Sequence, residues 1–357
     1  MKTSQFPGTI NPLVDPRWKH FVESHPLASI FHHPSWLKAL HRTYGFTPLA
    51  FTSAKPEETI HDGLLFCPLQ SWLTGKRLVS LPFSDHCDVL ADSDDICNQL
   101  IAHMAIALGR EFDYAEIRST TTLDKALNND WHSSHRFVWH TLSLQPAIDE
   151  IFRGFHKNSI QRKIKRAERE RLQHLAGNSD ILIDHFYTLL MRTRRRHRIP
   201  PQPFCWFRIL RDCMGNRMRI HVALYDGRPT AAILTLSHQT TLTYKYSCSD
   251  ERFNSLGGVP FLFWHVIQNA KLAGFDRLDL GRTEAANEGL TTFKRHLGAT
   301  ASPLPYWTCN SHSSNASRPH NFVNLTQRMM PPFPEAFLRL PRAILSLPGA
   351  LLYPHMD

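Results

Sequence analysis

Met218, Ile220, Val222 and Leu224 alternate with polar residues, a period of two that predicts a half-buried strand. The turn Asp226-Gly227-Arg228-Pro229 leads into a second strand over about 230–237, and His238-Gln239-Thr240 leads into a third over 241–247. Together they predict an antiparallel meander. The period then changes. Val259, Leu262, Phe263, Val266, Ile267 and Ala270 recur at helical spacing, so an amphipathic helix follows, with Pro260 in its first turn. Gly274 ends that helix, and 277–280 returns as a strand.

The N-terminal half repeats the order more weakly. Strand patterns lie near 48–53, 63–70 and 77–81. A helix over 94–110 carries Ile96, Leu100, Met104 and Leu108 on one face, ends near Gly109, and is followed by a strand at 114–118. The order β-β-β-α-β therefore occurs twice. The expected fold class is α+β, a mixed α/β chain of two tandem domains with mostly antiparallel sheets. The boundaries read as 1–145 and 146–308, with a basic helical insertion at 153–214, then a linker and tail at 309–357. Asn315-Ala316-Ser317 is a glycosylation sequon without meaning in a cytoplasmic protein. The Pro- and Leu-rich tail is expected to pack back on the body or to touch a membrane surface.

A length of 357 residues suits two domains that each bury a core, and 42% hydrophobic with 20% charged residues is a globular composition. The first thirty residues hold Pro7, Pro12, Pro16 and Trp18 but no apolar run behind a basic start, which argues against a secretory signal. No stretch approaches the roughly 18 apolar residues of a membrane-spanning helix. Seven cysteines form no C-x-x-C pair and His32-His33 lacks a third ligand nearby, so neither a disulfide framework nor a metal site is expected. Cytoplasmic residence is the simplest reading, with peripheral contact at the inner face of the membrane as a variant.

The net charge of +10 is uneven. RGFHKNSIQRKIKRAERER, residues 153–171, holds eight Lys/Arg against two Glu, and Arg192, Arg194, Arg195, Arg196 and Arg198 form a second cluster. Such density marks either a solvated helix face or a surface for an anion: nucleotide phosphates, an RNA backbone or a lipid headgroup. Ile160, Ile164 and Ala167 recur at helical spacing, so the first cluster reads as an amphipathic helix.

A meander, a glycine-containing turn, a helix and a strand in that order form the core of GNAT-type (acyl-CoA N-acyltransferase) domains. There the helix N-terminus receives the donor's pyrophosphate, because its N–H groups and dipole favour an anion. Gly257, Gly258 and Val259 occupy that turn, where the bland alternative is a plain turn. Tyr244 and Tyr246 alternate in the third strand, so they are expected to share one face, for core packing or donor contact. LDLGRTEAANEGLTTFKRHLGA, residues 278–299, places Arg282, Phe293 and Lys294 just past a strand end. For a lone lysine the competing reading is a solvated helix face.

The segments FHHPSWLKAL, LVSLPFSD, SIQRKIKRAER, RTRRRHRIPPQP, YKYSCSDERF, GFDRLDLGRT and GLTTFKRHLGA resemble the FemAB-like tandem-GNAT family. That group is related to the Fem peptidoglycan aminoacyltransferases, and the chain most resembles its exosortase- and polysaccharide-associated branch, over about residues 30–310. The resemblance implies two GNAT-like domains and transfer of an acyl or aminoacyl group to an amine. The donor would be an acyl-CoA or an aminoacyl-tRNA, with no permanently bound cofactor, and the acceptor an amino group on an envelope or polysaccharide precursor. DNA is not an expected partner. By the same resemblance Lys294, in the F-K-x-x-x-G segment, acts on the tetrahedral oxyanion. Asp85 is the candidate base for the amine, Arg282 a holder of an anionic group, and Arg162, Lys163, Lys165 and Arg166 contacts for donor phosphates. One departure stands out: His86-Cys87-Asp88 occupies the place of a glycine pair. Two competing readings remain: a degenerate pair that binds RNA or anionic lipid, and a structural partner in a polysaccharide-synthesis complex.

Overall fold

Both β-β-β-α-β series fold as their hydrophobic periods dictate in the computed structural model, which describes residues 8–311 apart from 72–74, 122, 124–125 and 129. Of the linker and tail expected at 309–357, everything beyond Ser311 lies outside the described residues.

The chain divides into two compact units, of which the first runs to Val138 and resumes at Pro303. It opens with β1 (Thr9–Ile10), α1 (Pro16–Ser24) and α2 (Pro34–Tyr44). Each helix starts with proline directly behind a capping side chain: Asp15 accepts from the Arg17 N–H, and His33 from the Ser35 N–H. Strands β2 (Leu49–Phe51), β3 (Leu64–Ser71) and β4 (Gly75–Val79) pair antiparallel. Helix α3 (Asp94–Glu111) then crosses over, so β5 (Tyr114–Arg118) lies parallel to β4. Leu100, Met104 and Leu108 bury against Leu64, Phe66, Leu78 and Ile117, which closes this core. Strand β6 (Trp131–Ser143) carries the chain onward into the second unit.

The second unit begins with α4 (Ile148–Gly154), a π-helical turn at Lys157–Gln161 and α5 (Arg162–Arg169). It continues through β7 (Gln173–Gly177), α6 (Asp180–His197) and α7 (Phe204–Met214). The stretch expected to be wholly helical thus contains a strand. Strand β7 is five residues long, and its QHLAG shows no alternation to announce it. Strands β8 (Met218–Tyr225), β9 (Arg228–His238) and β10 (Thr241–Ser249) continue antiparallel from β7. Helix α8 (Gly258–Leu272) crosses over to β11 (Arg277–Glu284), which lies parallel to β10. Leu262, Phe263, Val266, Ile267 and Ala270 bury one face of α8 against Ala231, Ile233, Leu278 and Leu280. Helix α9 (Glu288–His296) follows, and β12 (Thr300–Asn310) returns the chain to the first unit, antiparallel to β5. The fold is mixed α/β and GNAT-like in both units.

Three histidines line up near the β7 edge of the second unit. His174 Nε2 lies 3.2 Å from His221 Nδ1, and His174 also stacks on His265 with ring centroids 4.6 Å apart. Burial, then the neighbouring His and Arg charges, pushes His221 down to about 3 and His174 down to about 4. The folded chain therefore keeps them neutral where the unfolded chain, with pKa near 6.5, takes up protons. Stability should fall as pH drops from about 6.5 toward 4, by about 2 kcal/mol at pH 5 for His221 and less for the partly exposed His174. Urea unfolding at pH 7.5 and pH 5 reads this directly. His221→Gln should flatten the slope, and an equal slope in that variant would remove His221 as its cause.

Candidate functional site

The parallel ladder between β10 and β11 covers only three residue pairs, Thr241–Thr243 against Arg277–Asp279, although both strands run on. The change in β10 has a local cause. Tyr244 pairs with Thr235 and Tyr246 with Leu234, so one extra residue, Lys245, is accommodated as a bulge. Neighbouring positions on β9 point to opposite faces, and the two tyrosines must therefore do so as well. Tyr244 packs edge-on against Phe263 of α8 at 5.1 Å, whereas Tyr246 meets Phe207 of α7 and accepts a hydrogen bond from Trp206 Nε1 at 3.2 Å. The expectation that they share one face is overturned by this single inserted residue.

Where the ladder stops, β11 kinks. Gly281 has φ +69°, a left-handed conformation that a side chain resists. Buried Asp279 holds the kink from one side, its Oδ1 accepting from Gly281 N and from Trp139 Nε1, both at 2.8 Å. Lys294 holds it from the other. Its side chain is 2% exposed, and Nζ donates to the Gly281 and Arg282 carbonyls at 3.0 Å each. A solvated helix face is thereby excluded. Leu290, Phe293, Lys294 and Leu297 fall at i, i+3, i+4 and i+7, so a sharper reading of α9 would have put Lys294 on its inward side. Phe293 packs against Phe263, and half-buried Arg282 lies within the kink. Arg282, Phe293, Lys294 and Tyr244 thus gather around the β10–β11 opening.

Helix α5 has the amphipathic form its pattern predicted. Ile160, Ile164 and Ala167 are buried, and Arg162, Lys163, Lys165 and Arg166 are exposed. Its backbone lies directly on the start of α8. A Cβ added at Gly257, where φ is +80°, would stand 2.5 Å from the Lys163 carbonyl oxygen, and one at Gly258 would meet Ala231 Cβ at 3.0 Å. The glycine pair expected to receive the donor is buried and serves this close approach; Val259 packs half-buried on the same core.

Asp250, not singled out in the sequence, and Asp88 each anchor a polar cluster within their own unit. Asp250 caps the 3₁₀ turn Glu251–Leu256 and binds Arg252 at 2.7 Å and Arg192 at 2.5 Å, and the Arg252 hydrogen bond holds its carboxyl below the usual range. Arg192, from the cluster read as either a solvated face or an anion-binding surface, is engaged with Asp250. In the first unit Asp88 is buried and accepts from Ser119 Oγ and from Thr120 N and Oγ1. Burial alone would raise its pKa, but the adjacent His86 and these donors bring it below normal. The departure at His86-Cys87-Asp88 is therefore a buried polar hub. Asp85 is half-buried in the same unit, and its main-chain carbonyl accepts from Tyr306 Oη at 2.9 Å.

Residues 154–295 match the family described as acetyltransferase (GNAT) domain. No curated protein sequence matches the chain. Among solved structures, FemX superposes with a TM-score of 0.63 at 13% identity, covering 81% of this chain and 94% of FemX. L-PGS from Bacillus licheniformis gives 0.57 at 14% identity, over 89% of this chain and 98% of that one. The C-terminal domain of a putative lysylphosphatidylglycerol synthetase from Agrobacterium fabrum gives 0.53 at 15%, over 82% and 90%. At such identities the likeness concerns the fold. Residues 154–295 thus match a GNAT acetyltransferase domain, within a fold similar to that of FemX.

Proposed function

We propose that the protein is an N-acyltransferase that moves an acyl or aminoacyl group to an amine at the opening between β10 and β11. The observation that carries this reading is the end of their ladder after Thr243 and Asp279, beside a kink clamped by a buried lysine and inside the GNAT-matching segment. Two parallel strands that stop pairing leave an edge along which the extended arm of a donor can lie. The carbonyl to be attacked then sits near the kink. A neutral amine adds to it, negative charge develops on the carbonyl oxygen, and the ammonium of Lys294 stabilises that charge. Burial strengthens the effect, because water does not screen it. When the intermediate collapses, the amide forms, the thiolate or ribose oxygen of the donor leaves, and the proton lost by the amine ends on that leaving group.

The donor is an acyl-CoA or an aminoacyl-tRNA, and both carry phosphates that the exposed cations of α5 would meet. The acceptor is an amino group on an envelope or polysaccharide precursor, in line with the resemblance to the exosortase-associated branch and with contact at a membrane surface. The test is release of free thiol from an acyl-CoA panel, and deacylation of an aminoacyl-tRNA panel, each dependent on added amine. Amine-dependent consumption of one donor class supports the reading; consumption of neither contradicts it.

The role of α5 has its own test. Replacing Arg162, Lys163, Lys165 and Arg166 with Gln should weaken donor binding by at least about tenfold at low salt and flatten its salt dependence. Stability should change by only about 0.5 kcal/mol or less per site, since all four side chains are exposed. Unchanged donor affinity would reduce α5 to a solvated face.

A further inference from the structure

Two histidines outside the β10–β11 opening are joined through one hydroxyl. His156 precedes the π-helical turn and His296 ends α9, and their rings stack with centroids 4.1 Å apart and planes 19° apart. Ser159 Oγ lies 2.8 Å from His156 Nδ1 and 2.9 Å from His296 Nδ1. The Ser159 N–H also donates to His156 Nδ1, at 3.2 Å. With both rings neutral, these contacts fix every proton. His156 Nδ1 accepts the backbone N–H, so it carries a lone pair and its ring proton sits on Nε2. The Ser159 hydroxyl must then donate to His156, and its oxygen must accept from a protonated His296 Nδ1. His296 Nε2 is left with a lone pair.

The two rings face the same oxygen through Nδ1, so both Nε2 atoms point away from it, one a donor and one an acceptor. Neither takes a hydrogen bond among the described residues. Lys157 and Arg295, the neighbours in sequence, are exposed cations. Burial first, then His156 and Arg295, keeps the His296 pKa below its ordinary value, which favours the neutral ring.

We propose that His156 and His296 form a binding site for the terminal phosphate of a phosphomonoester. A monoester near neutral pH retains a P–OH in part of its population. That P–OH donates to His296 Nε2, a second phosphate oxygen accepts from His156 Nε2–H, and Lys157 and Arg295 balance the remaining charge. A phosphodiester has no P–OH and meets the His296 lone pair as a repulsion. The pair therefore distinguishes a terminal phosphate from a nucleic-acid backbone. Ser159 is a positioning residue, since it sets which nitrogen of His296 carries the proton.

The test is ¹⁵N NMR of the imidazoles in the full chain, titrated at constant ionic strength with inorganic phosphate and, separately, with dimethyl phosphate. Before titration His296 should show the Nδ1–H tautomer. With phosphate, the His156 and His296 resonances should move together and saturate in the millimolar range, on the order of 4 kcal/mol of binding. Dimethyl phosphate should bind at least about tenfold more weakly, and Ser159→Ala, which keeps both rings, should weaken phosphate about as much. His296→Gln should abolish the shift at His156. Three results would each overturn the proposal: the opposite tautomer at His296, equal affinity for both anions, or unchanged affinity in Ser159→Ala.

Discussion

Lys294→Met should lower turnover by on the order of 100-fold, with kcat falling more than KM rises, because its ammonium acts on charge that exists only in the transition state. It should also lower stability by about 2–4 kcal/mol. Two carbonyls, the buried one of Gly281 and the partly buried one of Arg282, lose a charged donor at 3.0 Å. The kinetic loss must therefore be measured well below the melting temperature of the variant, where it is still folded. Lys294→Arg should rescue poorly, since a planar fork needs more room and directs its N–H groups differently. A folded Lys294→Met with near-normal turnover would leave the lysine as a staple of the β11 kink and nothing more.

Gly257→Ala should be far more damaging than Gly274→Ala, another left-handed glycine of the second unit. Its φ of +80° costs about 1 kcal/mol for any side chain, and the new Cβ would stand 2.5 Å from the Lys163 carbonyl oxygen. That oxygen belongs to the backbone of α5, so the helix itself must shift, and the total should reach about 3 kcal/mol. Gly274→Ala is the control: φ is +79°, and nothing lies within 4 Å of the added Cβ. It should lose only the conformational part. Chemical unfolding of the two variants measures the difference. Equal losses would show that α5 does not bear on the start of α8, and the account of the glycine pair would fall with it.

The repeated fold was legible where the sequence itself alternates or recurs at helical spacing, even though β9 is buried along most of its length. Met218–Leu224 and Val259–Ala270 declare their periods, and even the weaker first series was placed to within a few residues. What stayed hidden has physical reasons. Strand β7 is short and unpatterned. The bulge at Lys245 reverses Tyr246 without any glycine or proline to mark it. Asp250 and Asp88 look like ordinary turn residues until their partners arrive from 58 positions upstream, as with Arg192, or 31 downstream, as with Ser119. Lys294 was singled out by resemblance, but its burial was readable from Leu290 and Leu297 alone. The Ser159–histidine pairing joins residues 137 apart, so no local pattern foretells it.

The most direct measurement is mass-spectrometric detection of the amide product when purified protein is mixed with a donor and a primary-amine acceptor, run in parallel with Lys294→Met. The account predicts a time-dependent mass gain on the amine, equal to the transferred group, with at least one donor class, and a rate reduced on the order of 100-fold in the variant. No product from any acyl-CoA or aminoacyl-tRNA, or product formed equally fast by folded Lys294→Met, would contradict it.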